Sequence, residues 1–408
     1  MSSVLAAESP AARHPWRELW LVTIGHGLTH WYPATFYLLL PLIGSELGLS
    51  YSEIGLIMTC QYIASAVANI PGGVLVDTVG RKGLLMAVSL FWVGFPYLLI
   101  GFTHSYAMLL ICVALVGFGN SLWHPTAIST LGNRYPDRKG LVLSLHGMGG
   151  NVGDAIAPVV IGTALAFFSW RHVVVLNVAP GLVVALLMFA YMGTLRLGAR
   201  KAPAAESQSL AQYARGLGEL LRNRALVLLA VGSSFRTMTQ SALLTFLPVY
   251  LAREMGYSPA VVGTCLFALQ TAGFAAAPIA GHMSDRMGRK QILVGSMVTS
   301  AVVLAAMASV GASPVFVGLV AVLGFFLYAT RPVIQAWLLE MTPKSMGGSS
   351  IGVLFGAQAV GAALGPYLAG VVADRHGLPA TFSFLAATIV VANLFVIWTP
   401  HRRDEALA

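Results

Sequence analysis

Apolar runs of about 20 residues recur along the whole chain and are separated by short polar loops. A helix of about 20 apolar residues crosses a lipid bilayer, whereas a membrane β-strand needs only about 9–11. The pattern therefore predicts an all-α membrane protein with twelve transmembrane helices. The predicted spans are roughly 17–43, 52–76, 83–103, 106–131, 139–167, 172–195, 224–252, 259–283, 290–310, 313–340, 347–373 and 378–399.

Composition supports the same class of protein. Of the 408 residues, 57% are hydrophobic and 10% are charged, whereas soluble domains carry about 25% charged residues. These figures exclude a soluble enzyme, a disordered chain and a disulfide scaffold. Residues 1–16 are polar and Ala-rich, without the apolar core of a signal peptide, so we expect the first span to be retained.

The basic residues predict the orientation of the chain. With the N-terminus in the cytoplasm, nineteen of the 24 Lys and Arg fall on the cytoplasmic side, and only Arg171, Arg253 and Arg375 fall outside. This bias follows the positive-inside rule. It predicts a multi-pass protein of the cytoplasmic (inner) membrane with both termini cytoplasmic, and it explains the net charge of +9 without a nucleic-acid partner.

The longest polar stretch divides the chain into two groups of six predicted helices. The predicted organisation is a cytoplasmic tail at 1–16, an N-terminal half at 17–195, a cytoplasmic linker at 196–223, a C-terminal half at 224–400 and a tail at 401–408.

The two halves match at a constant shift of 208 residues. Gly48, Gly55 and the segment from Gly153 to Gly162 have counterparts at Gly256, Gly263 and Gly361 to Gly370. An even number of spans in each half makes the two repeats parallel. Two-halved secondary transporters have this architecture, with substrate bound between the halves near the midplane.

A charged glycine motif follows the second span and recurs after the eighth. Glycine permits tight turns and close helix approach, and a carboxylate is stabilised at a helix N-terminus. We expect the motif to gate the cytoplasmic side, the alternative being positive charge that only sets topology. The motif residues are Gly73, Asp77, Gly80, Arg81 and Lys82, then Gly281, Asp285, Arg286, Gly288, Arg289 and Lys290.

Motif, repeat and span count together resemble the major facilitator superfamily over about 17–400. The resemblance implies two six-helix halves related by pseudo-two-fold symmetry that transport substrate by alternating access. In the fifth span, Gly149, Gly153, Ala157 and Pro158 are similar to the family's antiporter motif, which is associated with exporters. The alternative for these small residues is ordinary tight helix packing.

Polar side chains inside spans are costly and usually functional. They occur here as i, i+4 pairs in the first, fourth, seventh and tenth spans, which line the central cavity in the family that the chain resembles. Aromatic residues beside the pairs are expected to pack the apolar part of a substrate. The candidate substrate-binding residues are His26, His30, Tyr32, Asn120, Trp123, His124, Arg236, Gln240, Arg331 and Gln335.

The charges in the spans suggest an anionic substrate. Arg236 and Arg331 each need an anionic partner or a water-filled cavity. Among the acids, only Asp154 lies deep in a span, and Glu340 lies at the end of the tenth. We expect at least one Arg to attract an anion, the alternative being that these two acids neutralise both.

Proton coupling needs a side chain that can titrate. His has an unperturbed pKa of about 6.5, which suits proton exchange near neutral pH. The candidates for proton coupling are Asp154, His30, His124 and His146.

Two segments are similar to the fosmidomycin-resistance branch of the superfamily. They are Asn120-x3-His124-Pro125 and His146-Gly147-Met148-Gly149-Gly150-Asn151-x-Gly153. The resemblance implies export of a small phosphonate, which suits two cavity arginines.

The favoured hypothesis is a proton-coupled exporter of a small anionic or amphipathic organic molecule. One alternative is an importer or facilitator of an organic anion. Another is a transporter of a metal or metal chelate, because histidines at i, i+4 spacing can bind a metal. We expect no catalytic or resident metal site, no cofactor, a lipid bilayer environment and a monomer. No nucleophile–base or phosphate-cradle motif suggests an enzyme.

Overall fold

The computed structural model describes residues 15–79, 81–193, 218, 220–342 and 346–400, and every regular element in them is helical. In this part of the chain we number thirteen α-helices, together with one 3-10 turn at Pro136–Arg138. The helices are α1 Pro15–Glu46, α2 Tyr51–Thr78, α3 Lys82–Phe102, α4 Tyr106–Asn120, α5 Trp123–Arg134, α6 Lys139–Ala164, α7 Trp170–Met192, α8 Arg224–Arg253, α9 Pro259–Met287, α10 Arg289–Val310, α11 Pro314–Met341, α12 Gly347–His376 and α13 Pro379–Trp398.

Eight described segments are long and apolar enough to cross a membrane: α3, α4 with α5, α7, α9, α10, α11, α12 and α13. The other long helices, α1, α2, α6 and α8, have 26 to 32 residues, which also exceeds the length of a span. Three of these four carry His26, His30, His146, Asp154 and Arg236, whereas His124 and Arg331 lie within the eight apolar segments, on α5 and α11.

The fourth predicted span is interrupted rather than continuous. Helix α4 ends at Asn120 and α5 begins at Trp123. Pro125 has no backbone N–H to offer the carbonyl of Ser121, and its ring crowds that carbonyl. Ser121 and Leu122 keep α-helical backbone angles, so the break removes hydrogen bonds without reversing the direction of the span.

Turn glycines confirm two landmarks of the internal repeat. Gly48 and Gly256 have φ of 63° and 66°, a conformation that other residues rarely adopt. They lie in the loops before α2 and α9, at equivalent positions of the two halves. Gly288 has φ of 101° between α9 and α10, as expected for the turn of the charged motif.

The described chain divides into two compact units that differ from the two halves in the sequence. The first contains the described residues of Met1–Ala34, Ala64–Ala157 and Phe168–Pro203, and the second those of Thr35–Ile63, Pro158–Phe167 and Ala204–Ala408. Parts of α1, α2 and α6 thus pack with the later helices.

Specific contacts within the second unit explain this division. The Asp374 carboxylate at the end of α12 accepts the backbone N–H groups of Tyr51 and Ser52 at 2.8 and 2.9 Å. It satisfies donors that the first turn of α2 leaves unpaired. Further along α2, the Thr59 hydroxyl donates to the carbonyl of Ala363 at 2.6 Å.

Candidate functional site

The first unit contains a cluster of four histidines and one aspartate. His26 and His30 lie on α1, His124 lies in the first turn of α5, and His146 and Asp154 lie on α6. One ring nitrogen of each of His26, His30 and His124 lies within 4.8 Å of the others. The structure thus brings together all four residues proposed for proton coupling.

Hydrogen bonds hold this cluster. His26 Nδ1 donates to the backbone carbonyl of His146 at 2.7 Å, and its Nε2 lies 3.3 Å from Nε2 of His124. His30 Nδ1 lies 2.9 Å from an Asp154 carboxylate oxygen. Asp154 therefore pairs with a histidine that is 124 residues away, a contact that the sequence did not predict.

Ring contacts and glycines shape the cluster. The rings of His26 and His146 stack with their centres 4.0 Å apart, and the His30 ring meets His26 edge-on at 4.7 Å. A Cβ at Gly150 would lie 2.8 Å from His26 Cε1 and 3.0 Å from His30 Nε2. Gly150 therefore leaves the space that both rings occupy.

The antiporter-like glycines of α6 bring this helix against α1. A Cβ at Gly149 would overlap the carbonyl oxygen of Thr23, and one at Gly153 would overlap that of Gly27. Small residues let helix backbones approach closely. Tight packing is therefore an observed role of this motif, and it places Asp154 beside His30.

Two of the expected substrate contacts are core residues instead. Tyr32 and Trp123 have no exposed surface. The Tyr32 hydroxyl fits against Gly94 and Gly181, and the Trp123 ring fits against Gly25. Their burial makes them helix-packing residues rather than cavity walls in this structure.

A separate polar cavity of about 210 Å³ lies in the second unit. Two arginines on different helices, Arg236 of α8 and Arg331 of α11, contribute to its wall. Its lining comprises Tyr62, Arg236, Thr237, Gln240, Ser241, Leu244, Arg331, Gln358 and Ala362.

Neutral oxygen atoms position Arg236. Its Nε donates to the Thr330 hydroxyl at 3.0 Å, one terminal nitrogen donates to the Leu327 carbonyl at 2.8 Å, and the other donates to the Gln240 side chain. Arg236 is only 3% exposed, whereas Arg331 is exposed. The described ion pairs join His30, Arg134 or Arg289 to acids, and none of them includes Arg236 or Arg331.

Some cavity residues were missed from the sequence, and one expected residue lies elsewhere. Tyr62 and Gln358 line the cavity, and Gln358 donates to the Ser233 hydroxyl at 2.6 Å. A glutamine within an apolar helix was the available signal for Gln358. Gln335, one turn beyond Arg331, is not part of this lining, and neither is Asn120 of the first unit.

The second copy of the charged motif forms an ion-pair network. Arg289 donates to Glu340 at 2.8 and 3.1 Å and also pairs with Asp285. Lys290 donates to the Thr399 carbonyl at 3.0 Å, and Arg286 is exposed.

Gly281 of this copy does not allow close helix approach, contrary to expectation. A Cβ at Gly281 would meet nothing within 4 Å, so Gly281 is not required for close helix approach. In the first copy, Lys82 donates to the Ser129 hydroxyl at 3.0 Å and Arg81 is exposed. Gly80 and the side chain of Asp77 lie outside the described residues, and no contact of Gly73 is described.

The fold matches solved transporter structures. A crystal structure of a bacterial homolog to the human lysosomal transporter Spinster superposes with a TM-score of 0.81, covering 94% of this chain and 97% of that one. The two sequences are 15% identical, so this likeness concerns the fold alone.

Sequence comparison identifies relatives of nearly equal length. The hexuronate transporter of Bacillus subtilis (strain 168) is 27% identical over 371 residues, covering 88% of each chain. The fosmidomycin resistance protein of Escherichia coli (strain K12) is 25% identical over 408 residues, covering 98% of this chain and 97% of that protein. A family model matches residues 19–268 and 229–408, and the chain therefore belongs to the Major Facilitator Superfamily of membrane transporters.

Proposed function

We propose that this transporter exports a small organic anion across the cytoplasmic membrane in exchange for protons. The observation that carries this proposal is the pair Arg236 and Arg331 in one cavity of the second unit. The lining of this cavity contains no acid among the described residues. A carboxylate, phosphate or phosphonate on the substrate would supply the missing negative charge.

The environment of Arg236 favours a bound anion. Burying a charge without compensation is costly, yet Arg236 is 3% exposed and its described hydrogen-bond partners are neutral. Those bonds orient the guanidinium while leaving its positive charge without a counter-ion in the cavity. An arginine held in this way can bind an oxyanion through charge-assisted hydrogen bonds.

The named relatives support the same substrate class. Hexuronate is a carboxylate, and fosmidomycin is a phosphonate. The resistance protein favours export, as does the antiporter-like glycine motif of α6. The hexuronate transporter favours the second candidate, an importer or facilitator of an organic anion. A metal or metal chelate remains a third candidate cargo, motivated by the histidine cluster.

Orientation and coupling are parts of the same proposal. The distribution of Lys and Arg supports cytoplasmic termini, and we propose that the protein acts as a monomer. The assignment of the coupling proton to particular side chains, among Asp154, His30, His124 and His146, stays a prediction from the sequence.

Substrate charge can be tested in proteoliposomes with glucuronate and fosmidomycin as probes. Arg236→Ala and Arg331→Ala should each lower the transport of these anions at least about 10-fold, because each removes a charge worth more than about 1.4 kcal/mol to a bound anion. The matched control is Arg375→Ala, at the exposed end of α12. Unchanged transport in both cavity variants would contradict the anionic-substrate proposal.

Direction can be tested with inside-out membrane vesicles that are acidified internally. An exporter driven by protons should accumulate the probe in these vesicles, and a protonophore should abolish the accumulation. Accumulation only in right-side-out vesicles would favour the importer instead.

A further inference from the structure

The geometry of the histidine cluster points to a binding site for a divalent transition-metal ion of the Zn²⁺ class. His26, His30 and His124 are the ligands, and Asp154 positions His30. This site lies in the first compact unit, whereas the proposed anion cavity lies in the second.

The spacing of the nitrogens fits a metal. His26 Nε2 and His124 Nε2 are 3.3 Å apart. Two imidazole nitrogens that each lie 2.0–2.1 Å from a tetrahedral zinc ion are separated by about 3.3–3.4 Å. A His30 ring nitrogen completes a set in which all three atoms lie within 4.8 Å of one another. A bound zinc ion would draw this third atom to the same spacing of about 3.3–3.4 Å.

Hydrogen bonds at Nδ1 leave the Nε2 lone pairs of His26 and His30 free to bind a metal. A carbonyl oxygen only accepts, so His26 carries its proton on Nδ1 and leaves the Nε2 lone pair facing His124. His30 likewise presents Nδ1 to the Asp154 carboxylate, which leaves Nε2 as the metal-binding atom. Metal-binding histidines typically donate their second nitrogen to a carboxylate or a backbone carbonyl in this way.

Exposure indicates an open coordination position. The His30 and Asp154 side chains are 29% and 31% exposed, while His26 is 6% exposed. Structural zinc sites have four protein ligands, whereas sites with three keep a position for water or another ligand. We therefore expect an exchangeable ion with its fourth position open to solvent.

The ligand set also selects the class of metal. Three imidazoles suit Zn²⁺, Ni²⁺, Co²⁺ and Cu²⁺, whereas Mg²⁺ and Ca²⁺ prefer oxygen ligands. His146 stacks on His26 but is not one of the three grouped ligands, so it serves as an internal control.

The first experiment measures metal binding to the purified full-length protein. The protein should carry a streptavidin-binding tag instead of polyhistidine and be freed of metal by chelator dialysis. Calorimetry should then show one Zn²⁺ per chain and no saturable Mg²⁺ site. X-ray absorption of the zinc-loaded protein should show three nitrogen ligands at about 2.0–2.1 Å. A folded protein that binds no stoichiometric zinc would overturn the proposal.

Variants assign the site. His26→Ala and His30→Ala should abolish the saturable site, and Asp154→Asn should weaken zinc binding about 10–100-fold, the usual effect of losing a carboxylate that orients a ligand. His376→Ala, at the exposed end of α12, and His146→Phe should keep wild-type zinc affinity. If the alanine variants fail to fold, Asp154→Asn and His146→Phe still test the site, because only Asp154→Asn should weaken zinc binding. Equal zinc affinity in Asp154→Asn and wild type would refute the assignment.

Discussion

Gly55 of α2 lies directly on the backbone carbonyl of Pro366 in α12, so close that a Cβ would overlap the oxygen. Gly263 of α9 lies in the same way on the carbonyl of Pro158 in α6. The two pairs are related by the 208-residue repeat and both lie in the second compact unit. The absence of a side chain at Gly55 and Gly263 is therefore a packing requirement.

Replacing Gly55 by alanine should destabilise the protein. The added methyl group must displace the backbone of α12, and overpacking of this kind costs about 1–3 kcal/mol. Thermal unfolding in detergent should show a lower midpoint for Gly55→Ala and for Gly263→Ala. Gly356→Ala is the matched control, because a Cβ at Gly356 on α12 meets nothing within 4 Å. Similar midpoints for Gly55→Ala and Gly356→Ala would show that α2 has room to move.

The fold could be predicted from the sequence in most respects because lipid imposes a simple rule. Each predicted span has a helical counterpart whose ends lie within a few residues of the prediction. The interruption at Ser121 and Leu122 was missed even though Pro125 marks it, because apolarity continues across the break. The compact units could not be predicted, since they depend on tertiary contacts such as Asp374 with the start of α2.

The candidate site was only partly predictable. Polar residues stand out in apolar helices, so His30, Asp154 and Arg236 could be selected. Their partners could not, because residues 124 or 94 positions apart must meet in space before His30 bonds Asp154 or Arg236 bonds Thr330. Polarity alone also could not show that Tyr32 faces the core.

The positions of the histidine rings in the cluster should depend on Gly150, which packs against His26 and His30. In Gly150→Ala, the new methyl group would press on His26 and His30, at 2.8 and 3.0 Å from the nearest ring atoms. We expect transport of the anion probes to fall at least about 10-fold, since a displacement near 1 Å at a functional site can cost about 100-fold. The matched control is Gly147→Ala on the same helix, where a Cβ meets nothing within 4 Å. Wild-type transport in Gly150→Ala would show that transport does not depend on the arrangement of the histidine cluster.

The ion-pair network at the start of α10 should bias the conformational equilibrium. Arg289 is charged at working pH, because arginine is not deprotonated in proteins. Asp285→Asn and Glu340→Gln each remove a partner of Arg289, whose pairs with these exposed acids are worth at most about 1 kcal/mol. Single-cysteine labelling should therefore show a shift of up to about five-fold in accessibility near α10, and high salt should reduce the shift.

The exposed acid Asp137 lies in the turn between α5 and α6, outside this network, so Asp137→Asn is the control. The equivalent change in the first motif, Asp77→Asn, should have the same direction of effect if both copies gate. Loss of transport without any change in labelling would contradict the gating hypothesis.

The hydrogen bond between Arg236 and Thr330 should orient the guanidinium in the anion cavity. The Thr330 hydroxyl accepts from Arg236 Nε at 3.0 Å and itself donates to the Leu327 carbonyl. Thr330→Val keeps the shape of the side chain but removes this acceptor, and an unsatisfied buried donor costs about 1–3 kcal/mol. Arg236 should then turn toward other acceptors, so we expect the KM for the anion probes to rise about 10-fold with little change in maximal rate. The control is Thr245→Val, a fully buried threonine on α8 whose hydroxyl donates to the Ser241 carbonyl of the same helix at 2.8 Å. A lower maximal rate with an unchanged KM would mean that Thr330 acts on the movement of the helices instead of on anion binding.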